Sequence, residues 1–431
     1  MISMQVDVAS LEKSARKPVL EDVGTLALVP DHWNPRWMVR HHIMARLASY
    51  FHMVWVNPAH HWRDTLRSRS APLQTSDAAQ YPGFAEYTPG FWLPDFYRPT
   101  WLARLTLRQR LLQASQMLRD RGCSKIILYF WRPEFEPILG MIPFDLSCYH
   151  LEDEYSFSRV ERPIDSVEAR LLAAVDQVFI LSPALYEKKG KINPHTAYLP
   201  GGVDFEAYSQ PLAEPSDLAP IPHPRIGYVG SLKWQIDWDL LLKLTRKHPE
   251  WSFVLVGPAS PHPEIDGALQ ELRERPNVHF LGGKPSAEMM AYPQHFDVCV
   301  MPYGDNDYTK YIYPLKLHEY LASGKPLVGT PIASLAPLGD VVLLPRNAEQ
   351  WSSMLAQALS GAENTEERRA ARQNFARQHD WSNLVRQITN TMAQRLGPAY
   401  AARIEQHFRE SSPKAGPGRD CPVVSYPRSG P

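Results

Sequence analysis

Short apolar runs and longer amphipathic stretches alternate through the first half of the chain. The apolar runs are four to six residues long and are bounded by turn residues, as expected for buried strands, and they cover residues 25–29, 53–56, 125–130, 146–149 and 177–181. Helical spacing of apolar residues separates them at 37–50, 102–119 and 164–175. Because parallel strands need crossover connections that are usually helical, this alternation predicts an α/β unit with a parallel sheet.

A proline-rich stretch interrupts the alternation in the middle of the chain. Residues 211–225 read PLAEPSDLAPIPHPR, and proline can neither donate a ladder hydrogen bond nor continue a helix. The alternation then restarts with apolar runs at 225–229, 252–256, 278–281, 297–301 and 327–329. The stretch is therefore predicted to link two doubly wound α/β domains.

The two ends of the chain are predicted to lie outside the two domains. Residues 411–431 are rich in Pro, Gly and Ser and offer little to bury, so we expect a disordered tail. The predicted segments are a flexible N-terminus (1–23), an N-terminal domain (24–210), a linker (211–224), a C-terminal domain (225–385), a C-terminal helix (386–410) and the tail (411–431).

Composition and charge limit the partners. Lys plus Arg equals Asp plus Glu at 46 each, so no overall field favours nucleic acid, and none is expected as a partner. The four cysteines are far apart and lack metal or redox spacing, which favours a reducing compartment. Without a signal-like N-terminus or a spanning apolar run, we expect a cytoplasmic protein that can still lie on the inner face of a membrane.

The most informative stretch is YIYPLKLHEYLASGKPLV at residues 311–328. Pro314 suits a helix start and Gly324 a helix end, while Lys316 and Glu319 are three residues apart and share one face. A helix start offers free N–H groups and a positive dipole, so together with Lys316 it suits a diphosphate, and Glu319 can accept hydrogen bonds from ribose hydroxyls. If this segment stood alone, the favoured interpretation would be a surface Lys/Glu pair on an amphipathic helix.

This stretch resembles the nucleotide-sugar helix of GT-B glycosyltransferases, whose pattern is Pro/Ser-x-Lys-x-x-Glu-Tyr-x-Ala-x-Gly-x-Pro-Val. The matching residues here are Pro314, Lys316, Glu319, Tyr320, Ala322, Gly324, Pro326 and, one residue late, Val328. Residues 226–232, IGYVGSL, resemble the strand and glycine loop that open the C-terminal domain of this family, with Gly230 and Ser231 as donor-loop candidates. The continuation KWQIDWDL resembles the exopolysaccharide and teichuronic-type subgroup.

Other segments resemble GT-B motifs and occur in the same order along the chain as in that family. Residues 253–257, 277–282 and 297–303 resemble the succeeding strands, and 180–186 and 199–204 resemble the signatures that close the first domain. The resemblance implies two Rossmann-like domains facing across a cleft, the first binding the acceptor and the second the nucleotide sugar. Tyr303, at a strand end near the expected base pocket, could stack on a nucleobase or simply pack.

The candidate base lies in YHLEDEYSF at 149–157, which resembles the Tyr-x-x-x-Asp-x-Tyr/Trp-Ser pattern of the same subgroup. Asp153 falls where a xanthan-type glucuronosyltransferase places its proposed general base. Burial in a closing cleft would raise the pKa of Asp153 towards a useful value. His150 is the second candidate, as a base or a sugar ligand, and either residue could instead have only a hydrogen-bonding role.

One departure from the family pattern concerns the first acid of the Glu-x7-Glu pair, because Tyr311 stands eight residues before Glu319. Retention or inversion of the sugar therefore stays open. Asp305 and Asp307 are best interpreted as turn residues, so we expect no essential metal and no cofactor other than the nucleotide-sugar substrate.

Two weaker features adjoin the predicted cleft. Arg36, Arg40 or His41 could reach the donor phosphates or the acceptor, or lie on a solvated helix face. The aromatic segment 81–101, with the arginines that follow it, could rest on a lipid surface or hold a lipid-linked acceptor, or be core.

The sequence thus predicts a glycosyltransferase that moves a sugar from a nucleotide donor, UDP favoured over GDP, to a saccharide or lipid-linked acceptor in cell-surface polysaccharide synthesis. The alternatives are a GT-B-like sugar-nucleotide epimerase and a degenerate nucleotide-sugar-binding protein.

Overall fold

The computed structural model describes residues 17–33, 37–65, 81–96, 98–260 and 262–411. Its first unit is built on seven parallel strands: β1 (Leu20–Leu28), β2 (Phe51–Val56), β3 (Phe84–Tyr87), β4 (Lys125–Phe130), β5 (Leu146–Leu151), β6 (Gln177–Ile180) and β7 (Thr196–Tyr198). They lie in the order β3-β2-β1-β4-β5-β6-β7. Strand β4, with the sequence KIILYF, is buried almost throughout, because helices cover both faces of a parallel sheet.

The helices of this unit connect the strands and include one long member. They are α1 (Val39–Leu47), α2 (Trp62–Thr65), α3 (Thr100–Asp120), α4 (Ser166–Ala174), α5 (Pro183–Lys189) and α6 (Phe205–Ser209), with a 3-10 helix at Pro133–Ile138. Helix α3 buries Leu111, Ala114 and Leu118 against the sheet, one to two turns apart on one face.

The second unit repeats the same plan on five parallel strands: β8 (Arg225–Val229), β9 (Ser252–Val256), β10 (Val278–Gly282), β11 (Val298–Met301) and β12 (Leu327–Gly329). Their order is β10-β9-β8-β11-β12. The helices are α7 (Trp238–Lys247), α8 (Asp266–Arg273), α9 (Ser286–Met289), α10 (Ala291–Gln294), α11 (Lys316–Ala322), α12 (Ala348–Leu359) and α13 (Glu366–Gln378), with 3-10 turns at Thr309–Tyr311 and Ala336–Leu338.

The last two helices return to the first unit. Helix α14 (Trp381–Leu396) follows a bridge between Val203 and Asp380, and Trp381 stacks on His42 of α1 with ring centroids 4.8 Å apart. From α15 (Pro398–Ser411), the Arg403 guanidinium pairs with Asp22 of β1 at 2.7 Å. The chain therefore crosses between the two units twice.

The predicted α/β architecture with two doubly wound parallel sheets is confirmed. In each sheet the strand order reverses beside the first strand, at β1/β4 and at β8/β11, and ligands of such sheets bind outside the carboxyl ends of the strands at that point. Strands β3 and β7 were missed, because both are short edge strands without an apolar run.

Candidate functional site

A cleft lies between the two units at the carboxyl ends of their strands. Two adjoining cavities of about 300 and 430 Å³ form it, and both are lined by Glu152, Asp153, Ser231, Tyr313 and Lys316. The first two residues follow β5 of the first unit, and the others belong to the second unit. Both units thus contribute polar groups to one space, the usual place for a ligand site.

Lys316 lines both cavities from the second unit. It begins α11, its Nζ donates to the Tyr303 hydroxyl at 3.1 Å, and the same atom lies 5.1 Å from the centroid of the Tyr228 ring. Burial favours loss of the proton, but the surrounding hydroxyls and Glu319 keep the pKa of Lys316 raised. Lys316 therefore presents a cation to the cavity.

Gly230 leaves the space that the Lys316 side chain occupies. The glycine follows β8 with φ +143°, a conformation that side chains rarely adopt. A Cβ atom at this position would lie 2.9 Å from Lys316 Cε. Ser231, the next residue, is exposed and lines both cavities. The glycine loop and the helix start therefore meet, as the sequence predicts.

Glu319 lies one turn further along α11 and lines the larger cavity together with Lys316 and Tyr208. Burial raises the pKa of Glu319, while Lys316 and the Tyr208 hydroxyl oppose the rise. A carboxylate in this position can accept hydrogen bonds from a polyol that enters the cavity.

Asp153 faces these groups from the first unit. The Tyr308 hydroxyl is 3.2 Å from each of its carboxylate oxygens, and the Glu154 backbone N–H donates to Oδ1 at 2.8 Å. Burial raises the pKa of Asp153 to about 6 despite these hydrogen bonds. A carboxylate with a pKa close to neutrality is suited to general base catalysis.

Glu152 is a cleft residue that the sequence analysis missed. It lines both cavities and forms an ion pair with the buried Arg40 guanidinium, which also bonds Asp31 at 2.6 Å. Burial raises the pKa of Glu152 to about 7 in spite of Arg40. The signal was available, since three adjacent acids, residues 152–154, follow the buried run directly. Arg40 acts here through Glu152 and does not line either cavity.

His150 lies away from the cleft. It points into the core of the first unit, where its ring stacks on Trp131 at 4.4 Å and its Nδ1 lies 3.0 Å from the Tyr129 hydroxyl. Burial lowers the pKa of His150 to about 3. Position along the strand explains this placement, since every residue of β5, including His150, is buried whereas Asp153 follows the strand end. His41 is likewise fully buried, and Arg36 lies outside the described residues.

Tyr311, at the position of the absent family acid, contacts the other unit. Its hydroxyl donates to Glu161 at 2.6 Å, and Lys310 pairs with the same carboxylate at 2.7 Å. Tyr311 is buried and lines neither cavity of the cleft. The residue therefore joins the two units at the side of the cleft.

The neighbouring Asp305–Asp307 segment forms a turn. Asn306 Oδ1 accepts the N–H groups of Tyr308 and Thr309 at 3.0 and 3.1 Å, and Asp307 accepts from the Glu161 N–H at 3.0 Å. Across the described ranges, no group of three His, Cys, Asp or Glu side chains is arranged to hold a metal ion. In the same ranges, no helix is long and apolar enough to cross a bilayer.

Comparison with known proteins places this site in a family. Residues 223–360 match the family model described as glycosyl transferases group 1. Over 286 residues the chain is 30% identical to the teichuronic acid biosynthesis glycosyltransferase TuaH of Bacillus subtilis (strain 168), a provisional assignment, and the match covers 62% of this chain and 71% of that protein.

Solved structures share the fold at low sequence identity. The Anabaena protein Alr3699/HepE, solved in complex with UDP, is 16% identical with a TM-score of 0.61, covering 86% of this chain and 100% of that one. Sucrose-phosphate synthase of Thermosynechococcus elongatus is 17% identical with a TM-score of 0.62, covering 91% and 100%. These matches do not favour the epimerase or binding-only alternatives. The chain belongs to the group 1 glycosyl transferases of GT-B fold and is a glycosyltransferase.

Proposed function

We propose that the cleft binds a UDP-sugar, with the diphosphate at Lys316 and the ribose at Glu319. The observation that carries the proposal is the convergence of Lys316, Glu319 and Gly230 on one cavity that faces Asp153. The cation offsets the charge of the diphosphate, and the glycine leaves room for the phosphates to approach the backbone. The UDP in the HepE structures supports UDP over GDP.

Asp153 serves as the general base of the proposed reaction. It accepts the proton of the acceptor hydroxyl while that oxygen attacks C1 of the donor sugar and the bond from C1 to the diphosphate breaks. Lys316 stabilises the negative charge that develops on the leaving diphosphate. A base-assisted single displacement of this kind inverts the configuration at C1. His150 has no part in it, since its ring is fully buried and stacked on Trp131.

The reaction requires no metal ion in this proposal. Lys316 already supplies a positive charge at the place where the leaving group forms, and it is held there by Tyr303. A divalent ion, the alternative means of stabilising a leaving diphosphate, would need oxygen ligands around the phosphates. Removal of metal ions with a chelator tests this point.

The acceptor is a saccharide, carried on a lipid at the inner face of a membrane and used in cell-surface polysaccharide synthesis. The assignment of TuaH to teichuronic acid biosynthesis supports this polymer class. Phe91, Trp92 and Trp101 are 75%, 65% and 66% exposed on the first unit, beside an arginine-bearing helix without an acidic residue between 96 and 119. Exposed aromatics flanked by cations suit an anionic lipid surface.

A ligand screen tests the donor assignment. A ligand that binds the native state raises the melting temperature, and more so the tighter it binds. UDP and one or more UDP-sugars should stabilise the protein, and GDP should do so less. Equal responses to all nucleotides, or none, would remove the basis for the UDP-sugar assignment. Co-sedimentation with phosphatidylglycerol vesicles, compared with phosphatidylcholine vesicles, tests the lipid surface separately.

A further inference from the structure

A third cavity, of about 590 Å³, opens from Asp153 in a direction that the donor proposal does not use. Its wall comes from the segment after Asp153 in the first unit and from the loops after β8, β9 and β11 in the second. Lys316, Glu319 and Gly230 do not line it. Asp153 lines all three cavities and therefore stands at their junction.

Three aromatic side chains, which we call the aromatic groove, form one wall of this cavity: Phe157, Trp234 and Tyr308. The Trp234 and Tyr308 ring centroids are 5.0 Å apart, and those of Phe157 and Tyr308 are 6.1 Å apart. The Tyr308 hydroxyl at the inner end bonds Asp153. The aromatic surface thus leads directly to the candidate base.

Phe157 has an unfavourable backbone conformation, and its ring also packs on Tyr155 with centroids 6.2 Å apart. It has φ +46°, the left-handed region that bulky residues rarely adopt, and it is the single non-glycine residue with positive φ within the described ranges. Half of its surface is exposed. Backbone strain and an exposed aromatic ring both cost free energy, and such costs are concentrated at ligand-binding sites.

Polar groups border the aromatic surface. The Arg159 guanidinium lies 4.7 Å from the centroid of the Trp234 ring and pairs with Glu264 at 2.5 Å. Gln235 and His262 line the same cavity. A pyranose ring has one apolar face of C–H groups and an edge of hydroxyls. Aromatic rings bordered by guanidinium, carboxylate, amide and imidazole groups match both parts of such a ring.

We propose that the aromatic groove binds the saccharide acceptor, with sugar rings against Phe157 and Trp234 and the reacting hydroxyl at Asp153. This inference rests on the proposed role of Asp153 as the base. It places the acceptor saccharide between the units, on residues of both, so that the second unit contributes Trp234 and Tyr308 to acceptor recognition as well as holding the donor.

The experiment compares Phe157→Ala and Trp234→Ala with Tyr186→Ala, a control that removes an exposed aromatic from α5, outside the cavity. Binding to an array of bacterial polysaccharide fragments is measured with UDP saturating, and UDP affinity is measured separately by calorimetry. Each groove variant should weaken saccharide binding by roughly tenfold or more, since truncating a central aromatic contact typically has an effect of this size. UDP affinity should stay within about twofold, as should both properties of the control.

The other outcomes contradict the proposal in different ways. If saccharide and UDP affinities fall together, the three rings only hold the two units together. If the groove variants bind saccharide as wild type does, or if UDP-bound wild type binds none of the fragments, the groove is not the acceptor site. Failure of wild type to bind UDP at all would instead count against the proposed donor site.

Discussion

Replacing Asp153 with Asn gives the sharpest test of the catalytic assignment, because the two side chains have nearly the same shape. The amide oxygen of Asp153→Asn can still accept the Tyr308 hydroxyl, which holds the carboxylate at 3.2 Å in the wild type. The substitution removes the negative charge and the ability to take a proton. Changes in rate then report on chemistry, since the contacts across the cleft are preserved.

The expected loss of activity follows from the role of a general base. Such a group contributes roughly 10²–10⁴-fold to a rate, so kcat of Asp153→Asn should fall by about that factor with UDP affinity unchanged. In the wild type, kcat/KM should fall as the pH drops below about 6, because protonated Asp153 cannot accept the proton and burial raises its pKa to about 6.

Asp153→Asn should make the folded protein more stable although it makes the enzyme less active. Burial raises the pKa of Asp153 from 3.8 in the unfolded chain to about 6 in the fold. The folded protein therefore binds the Asp153 proton more tightly than the unfolded chain does. As the pH rises through about 6, Asp153 loses this proton and its buried negative charge lowers the stability of the fold. Two pKa units correspond to roughly 3 kcal/mol, which access of water through the cleft reduces to about 1–2 kcal/mol.

The assay is a melting curve of wild type and Asp153→Asn at pH 8 and at pH 4, with UDP release from the donor followed in parallel. At pH 8 the variant should melt roughly 2–6 °C higher. At pH 4, close to the pKa of 3.8 in the unfolded chain, most of this difference should be lost because Asp153 is then protonated in the fold. A variant that is less stable at pH 8, or that keeps wild-type kcat, would refute the assignment of Asp153 as a base whose pKa is raised by burial.

Three further predictions concern the proposed UDP-sugar site. Lys316→Ala should weaken UDP binding by roughly 10–100-fold in calorimetry, since the diphosphate loses its charged hydrogen-bond donor, and Lys247→Ala at the end of α7 should not. Gly230→Ala should lower UDP affinity and Tm together, because the new Cβ would lie 2.9 Å from Lys316 Cε at φ +143°. Incubation with EDTA should leave the transfer rate unchanged in a UDP-release assay, and a loss restored by Mg²⁺ would contradict the metal-free proposal.

Much of the fold could be predicted because its signals are local. The buried strand KIILYF and the linker prolines are recognisable without tertiary context, and β4, β8 and β9 begin and end where the apolar runs do. Strands β3 and β7 could not be found, because edge strands with three or four residues depend on neighbours for their pairing. The packing of α14 and α15 on the first unit could not be predicted either, because it depends on contacts between residues far apart in the sequence.

The site was predictable where a motif fixes neighbouring positions in one element. Lys316 and Glu319 share α11, so their proximity follows from helical spacing. Glu152 and Tyr308 were missed because their roles depend on partners far along the chain, Arg40 and Asp153. His150 was a plausible base because it lies just before a strand end, but it belongs to β5, whose residues are all buried, and its ring therefore lies in the core.

A crystal structure of the protein with UDP would show directly whether Lys316 and Glu319 hold the nucleotide. We expect a diphosphate oxygen within about 3 Å of Lys316 Nζ and the ribose hydroxyls in hydrogen-bond contact with Glu319, in the cavity that Asp153 also lines. UDP bound elsewhere on the chain, or in this cavity with its ribose away from Glu319 and its diphosphate away from Lys316, would contradict this expectation.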